Sequence, residues 1–380
     1  MQLIEFGSIM NMAKGKKPVN QSPEKRDGFL PYVDIKAFET NTVDNYTDGV
    51  KCLPCEEGDI LIVCDGSRSG LAGKAINGYV GSTLAKITAD GMTQNYLYFF
   101  LQGKYALLNT KKKGTGTPHL NPDLLKKQML IVPSIPEQKR IVTHIEELFS
   151  ELDKAVETLQ TTKQQLAVYR QAVLKEAFSH ISYKKPIREM TTIVTSGSRG
   201  WAKYYADFGA RFIRITDLTR DRISLKNDSI QYVSLPEKAE GTRSRLYPND
   251  VLISITADLG SIALIPENIE EAYINQHIAL VRFTNPTQGE YMAWYLKSEW
   301  GQKDLLKNKR GGGKLGLGLD DIRNTPVPVV SDEIARKTLE KIESRLSVCE
   351  SIEQTVDTAL AQADAMRQSI LKQAFEGGYV

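Results

Sequence analysis

The stretch RQAVLKEAF at residues 170–178 returns 197 residues later as RQSILKQAF at residues 367–375. Upstream, GDILI at 58–62 has a counterpart in NDVLI at 249–253, and YLYFFL at 96–101 has one in YMAWYL at 291–296. Self-similarity at a nearly constant offset indicates an internal repeat, and it constrains the whole fold before any local structure is considered. We therefore interpret the chain as two related halves.

The front part of each half has the composition of a mixed globule. Residues 1–136 and 181–331 contain short β-branched runs separated by Gly, Pro, Asn and Asp, which is typical of strands and turns. The aromatic runs at 96–101 and 291–296 are too dense in apolar residues and too poor in β-branching for strands, so each predicts a helix. We expect two similar α+β globules, over 1–136 and 181–331.

The back part of each half, residues 137–180 and 332–380, predicts a long coiled-coil helix, because apolar residues recur there in a 4-3 alternation. The predicted seam of the first helix, interrupted only by Thr162, consists of Ile145, Leu148, Leu152, Ala155, Leu159, Leu166, Tyr169 and Val173. The predicted seam of the second, with Thr338 and Arg345 as its weak positions, consists of Thr338, Ile342, Arg345, Cys349, Ile352, Val356, Ala359, Ala363, Met366 and Ile370.

The order of these segments predicts an antiparallel helix pair. The first helix begins at globule one and ends at globule two, whereas the second begins at globule two, so packing of the two seams sends it back toward globule one. At ~1.5 Å per residue, such helices would hold the globules roughly 60 Å apart. The expected fold class is α+β, with two similar globules joined by two long antiparallel coiled-coil helices in a pseudo-two-fold internal repeat.

A second apolar stripe runs beside each predicted seam. Its members are Val142, Phe149 and Val156 in the first helix and Leu339, Leu346 and Leu360 in the second. The combined apolar face is wider than a two-helix seam needs. The sequence leaves two interpretations open, packing on the flank of a globule and docking of another subunit.

Composition bounds the function classes. The chain has 380 residues and a formal net charge of +3, so any basic surface that binds nucleic acid must be local. Four cysteines without a signal peptide favour a reducing compartment, and we expect the cytoplasm. The longest apolar runs are far shorter than the roughly 20 residues that cross a bilayer, so we expect no membrane role.

Two basic stretches recur at matching places in the halves. Lysines precede GTGT at 114–117, and basic residues surround GGG at 311–313, which suits contact with phosphates from loops. A lysine run is also common in a loop that only faces solvent, and both interpretations stand. The candidate DNA-binding residues are Lys111, Lys112, Lys113, Thr115, His119, Lys309, Arg310 and Lys314. Two globules on a spacer of fixed length favour double-stranded DNA, which is read at half-sites with a set separation.

Patterns typical of catalysis are not found in the sequence. GSRSG at 66–70 followed by GKA at 73–75 lacks the glycine spacing and the Ser or Thr of a phosphate-binding loop. CLPC at 52–55 has the spacing of half a zinc site, but no partner pair follows it. The four histidines are scattered. We expect a binding protein that is not an enzyme and that needs no cofactor or metal.

Several motifs resemble one known family. VPSIPEQKRIV at 132–142 and LKEAF at 174–178 are similar to segments of the DNA-specificity (S) subunits of type I restriction–modification systems. YY at 204–205, FIRITDL at 212–218, DVLIS at 250–254 and NQ at 275–276 resemble its target-recognition domain. The second long helix departs from the pattern, because VSDE at 330–333 replaces the Pro-Glu-Gln signature.

The resemblance implies a non-catalytic subunit with two target-recognition domains on antiparallel helices. Its target would be an asymmetric split DNA sequence. Its partners would be modification subunits, with adenine DNA methyltransferase activity, and a restriction subunit, an ATP-dependent endonuclease. Two alternatives stay open from the residues, a stand-alone bipartite DNA-binding regulator and a scaffold whose globules bind protein. Salt-dependent DNA affinity and a stable complex with a methyltransferase subunit would separate the three.

Overall fold

The computed structural model of the chain describes residues 3–110, 118–181, 183–236, 242–310 and 315–375. It divides into two compact units. Unit 1 comprises Met1–Leu159 and Thr358–Val380, and unit 2 comprises Gln160–Asp357. Both units therefore contain part of each long helix. No helix in these described ranges is long and apolar enough to span a membrane.

Unit 1 begins the repeat. Its strands are β1 (Leu3–Glu5), β2 (Met10–Lys14), β3 (Gln21–Ser22), β4 (Leu30–Val33), β5 (Tyr46–Thr47), β6 (Pro54–Cys55), β7 (Ile60–Val63), β8 (Ala72–Lys74), β9 (Gly78–Val80), β10 (Leu84–Ala89) and β11 (Met129–Ile131). Its helices are α1 (Ile35–Thr40), α2 (Gln94–Thr110), α3 (Pro122–Lys126) and the first part of α4 (Ile135–Ala177), with a 3-10 turn at Phe6–Ser8.

Unit 2 repeats the series. Its strands are β12 (Lys184–Pro186), β13 (Thr191–Ser196), β14 (Tyr205–Ala206), β15 (Ala210–Ile213), β16 (Tyr232–Val233), β17 (Val251–Ser254), β18 (Ile262–Leu264), β19 (Ala272–Ile274), β20 (Ile278–Phe283) and β21 (Pro326–Pro328). Its helices are α5 (Pro286–Lys297), α6 (Glu299–Leu305), α7 (Leu319–Arg323) and the first part of α8 (Asp332–Phe375), with 3-10 turns at Ile187–Glu189, Trp201–Tyr204, Ile215–Asp217 and Thr242–Ser244.

The sheets of the two units have matching strand orders. A four-stranded sheet has the order β2-β10-β7-β8 in unit 1 and β13-β20-β17-β18 in unit 2. A second sheet has the order β3-β5-β4-β9-β6 in unit 1 and β14-β16-β15-β19 in unit 2. Each second sheet contains one parallel pair, β4 with β9 and β15 with β19. The internal repeat predicted from the sequence is confirmed.

The central strand β7 divides the core of unit 1 into two clusters. Ile60 and Ile62 pack with the α2 residue Phe100, whereas Leu61 and Val63 belong to a separate cluster with residues of β4, α1 and β9. Successive side chains of a strand point to opposite faces, so an unbroken apolar run is what a strand covered on both faces requires. β17 divides the core of unit 2 in the same way.

Both aromatic runs are helical, as predicted, but only the run in unit 1 continues as one helix. In unit 2 the helix is interrupted at Ser298, whose hydroxyl accepts a hydrogen bond from Gly301 N at 3.2 Å and caps α6. A Cβ at Gly301 would lie 2.1 Å from Tyr295 O, so this close turn requires glycine.

The two long helices are antiparallel within each unit. In unit 2, Lys163 of α4 pairs with Asp357 of α8 at 2.7 Å, and Glu176 near the end of α4 pairs with Arg345 at 2.5 Å. Partner numbers in α8 therefore fall as residue numbers in α4 rise. The predicted antiparallel pair of long helices is confirmed.

The seam prediction is wrong at four apolar positions, the first of which is the exposed Ala155. Tyr169, Ile352 and Met366 are 47%, 41% and 53% exposed. The neighbouring residues Arg170 and Glu353 lie inward instead, and their side chains form an ion pair at 2.7 Å. A buried pair of opposite charges thus takes the place of apolar packing in the unit 2 portion of the helix pair.

The apolar stripe beside the seam packs on the flank of each unit. Val142 and Phe149 belong to a cluster with α2, where the rings of Phe149 and Phe99 meet edge to face at 5.8 Å. Leu339 and Leu346 are buried in the cluster that contains α5. For these four residues the structure shows the first of the two interpretations, because the side chains are already covered.

The start of α4 is fixed to unit 1 by one buried side chain. Gln138 accepts a hydrogen bond from Thr93 N at 2.8 Å and donates to Gly91 O at 2.7 Å and Pro133 O at 3.0 Å. This is the glutamine of the Pro-Glu-Gln motif. Its role in the structure is to join the helix to the loop that precedes α2.

The start of α8 is fixed to unit 2 from the opposite side. The position that corresponds to Gln138 is Ala335, which is fully buried. Asp332 instead accepts hydrogen bonds from Asn285 and Gln288, at the start of α5, both at 2.9 Å. In unit 1 the joining amide therefore belongs to the long helix α4. In unit 2, where the motif at 330–333 differs, the amides belong to the start of α5 and the long helix supplies a carboxylate.

Candidate nucleic-acid interface

Four segments that are distant in the sequence meet at one place in unit 1, which we call edge 1 (residues 14–15, 64–66, 83–84 and 118–120). Gly15 N donates to Leu84 O at 2.9 Å, and Cys64 N donates to Thr83 O at 2.8 Å. Leu120 N donates to Cys64 O at 2.7 Å. The sheet order β2-β10-β7 brings these strand ends together, so the edge is a product of long-range strand pairing.

Asp65 is the centre of the charged side chains on edge 1. Its carboxylate lies 2.8 Å from Lys14 Nζ and 2.7 Å from His119 Nδ1. Burial acts to raise the pKa of Asp65, but the hydrogen bonds from Lys14 and His119 outweigh it and the pKa is lowered. The same hydrogen bond raises the pKa of Lys14. Edge 1 therefore presents an ammonium group and an imidazole, each about half exposed, held by one carboxylate.

Unit 2 has a corresponding edge 2 (residues 196–199, 255–256, 275–278, 310 and 316–317). Ile255 N donates to His277 O at 2.9 Å, and Leu317 N donates to Ile255 O at 2.9 Å. Gly197 N lies 3.4 Å from Ile278 O, and a Cβ on Gly197 would lie 1.9 Å from a backbone oxygen. The same three backbone bonds therefore build both edges, and each uses a glycine for the closest approach.

The side chains of edge 2 differ from those of edge 1. Thr256 Oγ1 lies 2.6 Å from His277 Nδ1, and Gln276 Nε2 lies 2.9 Å from His277 Nε2. A neutral imidazole that donates from Nδ1 to the hydroxyl and accepts from the amide satisfies both contacts. Arg310 pairs with the backbone of Gly316 and donates to Asp321 at 2.9 Å, while most of its side chain is exposed.

The sequence-predicted DNA-binding residues divide into two sets. His119 lies on edge 1, Arg310 lies on edge 2, and Lys309 immediately precedes Arg310. Lys111, Lys112, Lys113, Thr115 and Lys314 lie outside the described residues. The chain on the far side of the first basic stretch meets edge 1, because Gly66 N donates to Pro118 O at 2.8 Å. Their DNA-binding role stays a prediction.

Sequence reasoning missed Lys14, Asp65, Thr256 and Gln276 as site residues. Asp65 and Thr256 follow the repeated GDILI and NDVLI motifs at the same distance, so alignment of the two halves could have identified them. No local signal marks Lys14. It reaches the edge only because β2 pairs with β10.

The cysteines show no sign of a metal or redox site. In the part of the chain that the structure describes, no group of three His, Cys, Asp or Glu residues is placed to hold a metal ion. Cys55 and Cys64 are buried and free, and burial raises the pKa of both thiols to about 11. Neither thiol has the lowered pKa of a reactive cysteine.

Comparison with known proteins shows what this chain is similar to. The profile of the type I restriction modification DNA specificity domain matches residues 1–167. The specificity subunit of the type I restriction enzyme MjaVIII from Methanocaldococcus jannaschii is 23% identical, over 90% of this chain and 85% of its own length. The EcoBI specificity subunit from Escherichia coli is 22% identical, over 98% of this chain and 85% of its own. The chain is similar to type I specificity subunits over most of its length.

The likeness in fold to a solved structure extends over nearly the whole chain. A solved chain from work on complex assembly and conformational transition of the type I restriction–modification system superposes with a TM-score of 0.74. It covers 98% of this chain and 97% of its own, at 17% identity. At that identity the likeness concerns the fold, and it agrees with two globules and long antiparallel helices.

Proposed function

We propose that the chain is the DNA-recognition subunit of a type I restriction–modification complex, in which edge 1 and edge 2 each read one half of a split target. The observation that carries the proposal is the pair of edges. The same backbone bonds build both edges. The positions that carry Lys14, Asp65 and His119 on edge 1 carry different residues on edge 2. A repeated scaffold with different side chains is what an asymmetric bipartite target requires.

The chemistry of the edges suits base recognition. Lysine and arginine donate to the N7 and O6 acceptors of guanine, and a glutamine amide matches the N6 and N7 groups of adenine. Lys14 and Arg310 provide the first kind of group, and Gln276 provides the second. The lysines at 111–113, 309 and 314 would add phosphate contacts that set affinity without selecting sequence.

The long helices α4 and α8 would set the spacing between the half-sites. A helix of 43 residues, such as α4, is a stiff element of about 65 Å at ~1.5 Å per residue. Bases between the half-sites would then stay unread. This role follows from helix length, and the insertion experiment in the Discussion tests it.

We also propose modification and restriction subunits as partners, which would carry the methyltransferase and endonuclease activities in the cytoplasm. In unit 2 the long helices leave the apolar side chains of Val168 and Val348 72% and 58% exposed, which favours burial by another protein. Replacing both by Glu should abolish co-purification of the full chain with its methyltransferase subunit. Lys163→Ala, which removes only an exposed ion pair, is the matched control.

The decisive experiment is mapping of methylated bases in cells that express the chain with its modification subunit. We expect one asymmetric motif with two specific halves and an unread spacer, absent when the chain is deleted. Methylation that continues unchanged without the chain, or a continuous motif, would contradict the proposal. Unaltered methylation together with salt-dependent binding to a split site would instead favour a stand-alone regulator.

Domain exchange tests the assignment of one edge to each half-site. Replacing residues 181–331 by the matching domain of a relative should change one half of the mapped motif and preserve the other. Replacing residues 1–136 should change the opposite half. If either exchange alters both halves, the two edges do not read independently.

A further inference from the structure

A short segment of unit 2, residues 219–222, lies between edge 2 and both long helices, and we call it the clasp. On the side of the edge, Arg220 of the clasp pairs with Asp258, two residues beyond Thr256, through its Nε at 3.1 Å and its Nη2. On the side of the helices, Arg222 lies 3.1 Å from Glu353 of α8. The clasp therefore connects the segment that carries edge 2 to the helix pair.

The helix end of the clasp adds two half-exposed charges to a buried ion pair. Arg170 and Glu353 have side chains only 7% and 12% exposed, and they would otherwise form an isolated pair in the seam. Asp221 lies 3.8 Å from Arg170, and Arg222 binds Glu353, so two cations meet two anions. Burial acts to lower the pKa of Arg170, but Glu353 outweighs it and the pKa is raised.

An apolar seam would give this helix pair at least as much stability as a buried ion pair, which has to overcome the desolvation of both charges. The ion pair adds a defined geometry. A hydrogen-bonded guanidinium and carboxylate bind partners only at set positions and angles, whereas leucine side chains pack in many arrangements. The charge set therefore fixes where the clasp sits on the helices.

A buried lysine of α5 holds the backbone of the clasp. Lys297 of α5 donates to the backbone carbonyls of Thr219 at 2.6 Å, Arg222 and Ile262, the last at 3.1 Å. Burial lowers the pKa of Lys297 to about 7, and the charge of Asp221 opposes that change. All three donors of the ammonium group are thus used to hold the two ends of the clasp against α5 and β18.

Unit 1 keeps only part of this arrangement. Gln102, the counterpart of Lys297, donates at 2.6 Å to Ala72 O, which is the counterpart of Ile262. Glu39 of α1 pairs with Arg68 beside edge 1, so the contact near the edge is present with its charges reversed. The other ion pair of α1 is between Lys36 and Asp44, which is not on a long helix.

We infer that the clasp positions edge 2 on the long helices, and that Asp221 and Arg222 are positioning residues for recognition of one half of the target without touching DNA. The inference rests on the proposed function and deepens it. Removing the ion pairs between the clasp and the long helices should make the position of Thr256 and its neighbours relative to α4 and α8 less well defined. Base discrimination should fall in the half-site that edge 2 reads and nowhere else.

The test measures DNA affinity of the full chain, assembled with its modification subunit, for the mapped target and for variants with one base pair changed in either half. In Arg222→Ala we expect discrimination in the edge 2 half to drop about tenfold, the scale of one misplaced base contact. Discrimination in the other half should stay unchanged. Glu353→Gln, which alters the same set from α8, should give the same half-selective loss.

Salt dependence separates positioning from phosphate contact. If Arg222 bound a phosphate, Arg222→Ala would reduce the slope of log affinity against log salt by about 0.9. We expect the slope to stay constant. Arg345→Ala is the matched control, because it breaks another ion pair between the same helices and should leave discrimination in both halves unchanged.

The possible outcomes separate the role of the clasp from the proposed function. A reduced salt slope, equal loss in both halves, or unchanged discrimination in folded Arg222→Ala would overturn the role of the clasp while leaving the proposed function intact. If the complex with the wild-type chain recognises no split target, the proposed function and the inference both fail.

Discussion

A pair of carboxyl groups in unit 2 gives a prediction with a defined pH profile. Glu290 of α5 is half buried and shares a hydrogen bond with Glu343 of α8. Burial, followed by the charge of Glu343, raises the pKa of Glu290 from 4.5 to about 6. By the repeat, the corresponding position in α2 of unit 1 is Asn95, which carries no charge.

The direction of the effect follows from proton linkage. Between pH 4.5 and 6 the folded unit holds a proton that the unfolded chain releases, so stability falls as pH rises through this window. Above it the penalty is constant. A shift of this size corresponds to at most about 2 kcal/mol, and partial exposure reduces it to about 1 kcal/mol. Glu290→Gln should therefore stabilise unit 2 at pH 7.5 and give no gain near pH 4.5.

The assay is thermal unfolding from pH 5 to 8. For a unit of this size, about 1 kcal/mol raises the melting temperature by about 3 °C. Glu343→Gln should give the same profile, and the double variant should add little because either change removes the shared proton. A stabilisation by Glu290→Gln that is equal at pH 5 and pH 8 would refute the reasoning.

Three further predictions test the interface, the spacer and the joint. Replacing Lys111, Lys112 and Lys113 by Ala should weaken DNA binding nearly uniformly across sequences and reduce the salt slope by up to about 3, whereas an unchanged slope would remove them from the interface. Four residues inserted after Thr161 lengthen α4 by about 6 Å, so the mapped motif should keep both halves and gain one or two spacer base pairs; changed bases at the old spacing would exclude a ruler. Gln138→Leu removes three hydrogen bonds to backbone groups that are at most partly buried and should cost about 2 kcal/mol in denaturant unfolding of unit 1, with a loss below about 0.5 kcal/mol counting against the joint.

The sequence predicts those features whose evidence is periodic or repeated. The RQAVLKEAF repeat and the 4-3 alternation identify two halves and two long helices, because helix periodicity is recorded in neighbouring residues. The seam prediction fails at Tyr169 and Ile352, because the adjacent charges Arg170 and Glu353 lie inward, where they pair with each other and with the clasp. Nothing in the helix sequences alone indicates such partners.

The composition of the edges is harder to predict than the helices. Lys14, Asp65 and His119 come from three separate segments, and only the pairing order of the strands brings them within hydrogen-bond distance. Strand pairing depends on long-range contacts that a local pattern does not encode. The basic stretches are visible in the sequence because they are compositional, but their partners on the edges are not.

The two different joints constrain how chimeric proteins can be assembled. Gln138 of α4 inserts into the loop before α2, whereas Asn285 and Gln288 of α5 reach out to Asp332 of α8. The front part of unit 1 fused to α8 would lack the joining amide of Gln138. The front part of unit 2 fused to α4 would lack the carboxylate of Asp332. A transplanted front part should therefore bring the first turn of its own helix with it. Crossover points placed one turn inside α4 or α8 keep each joint whole.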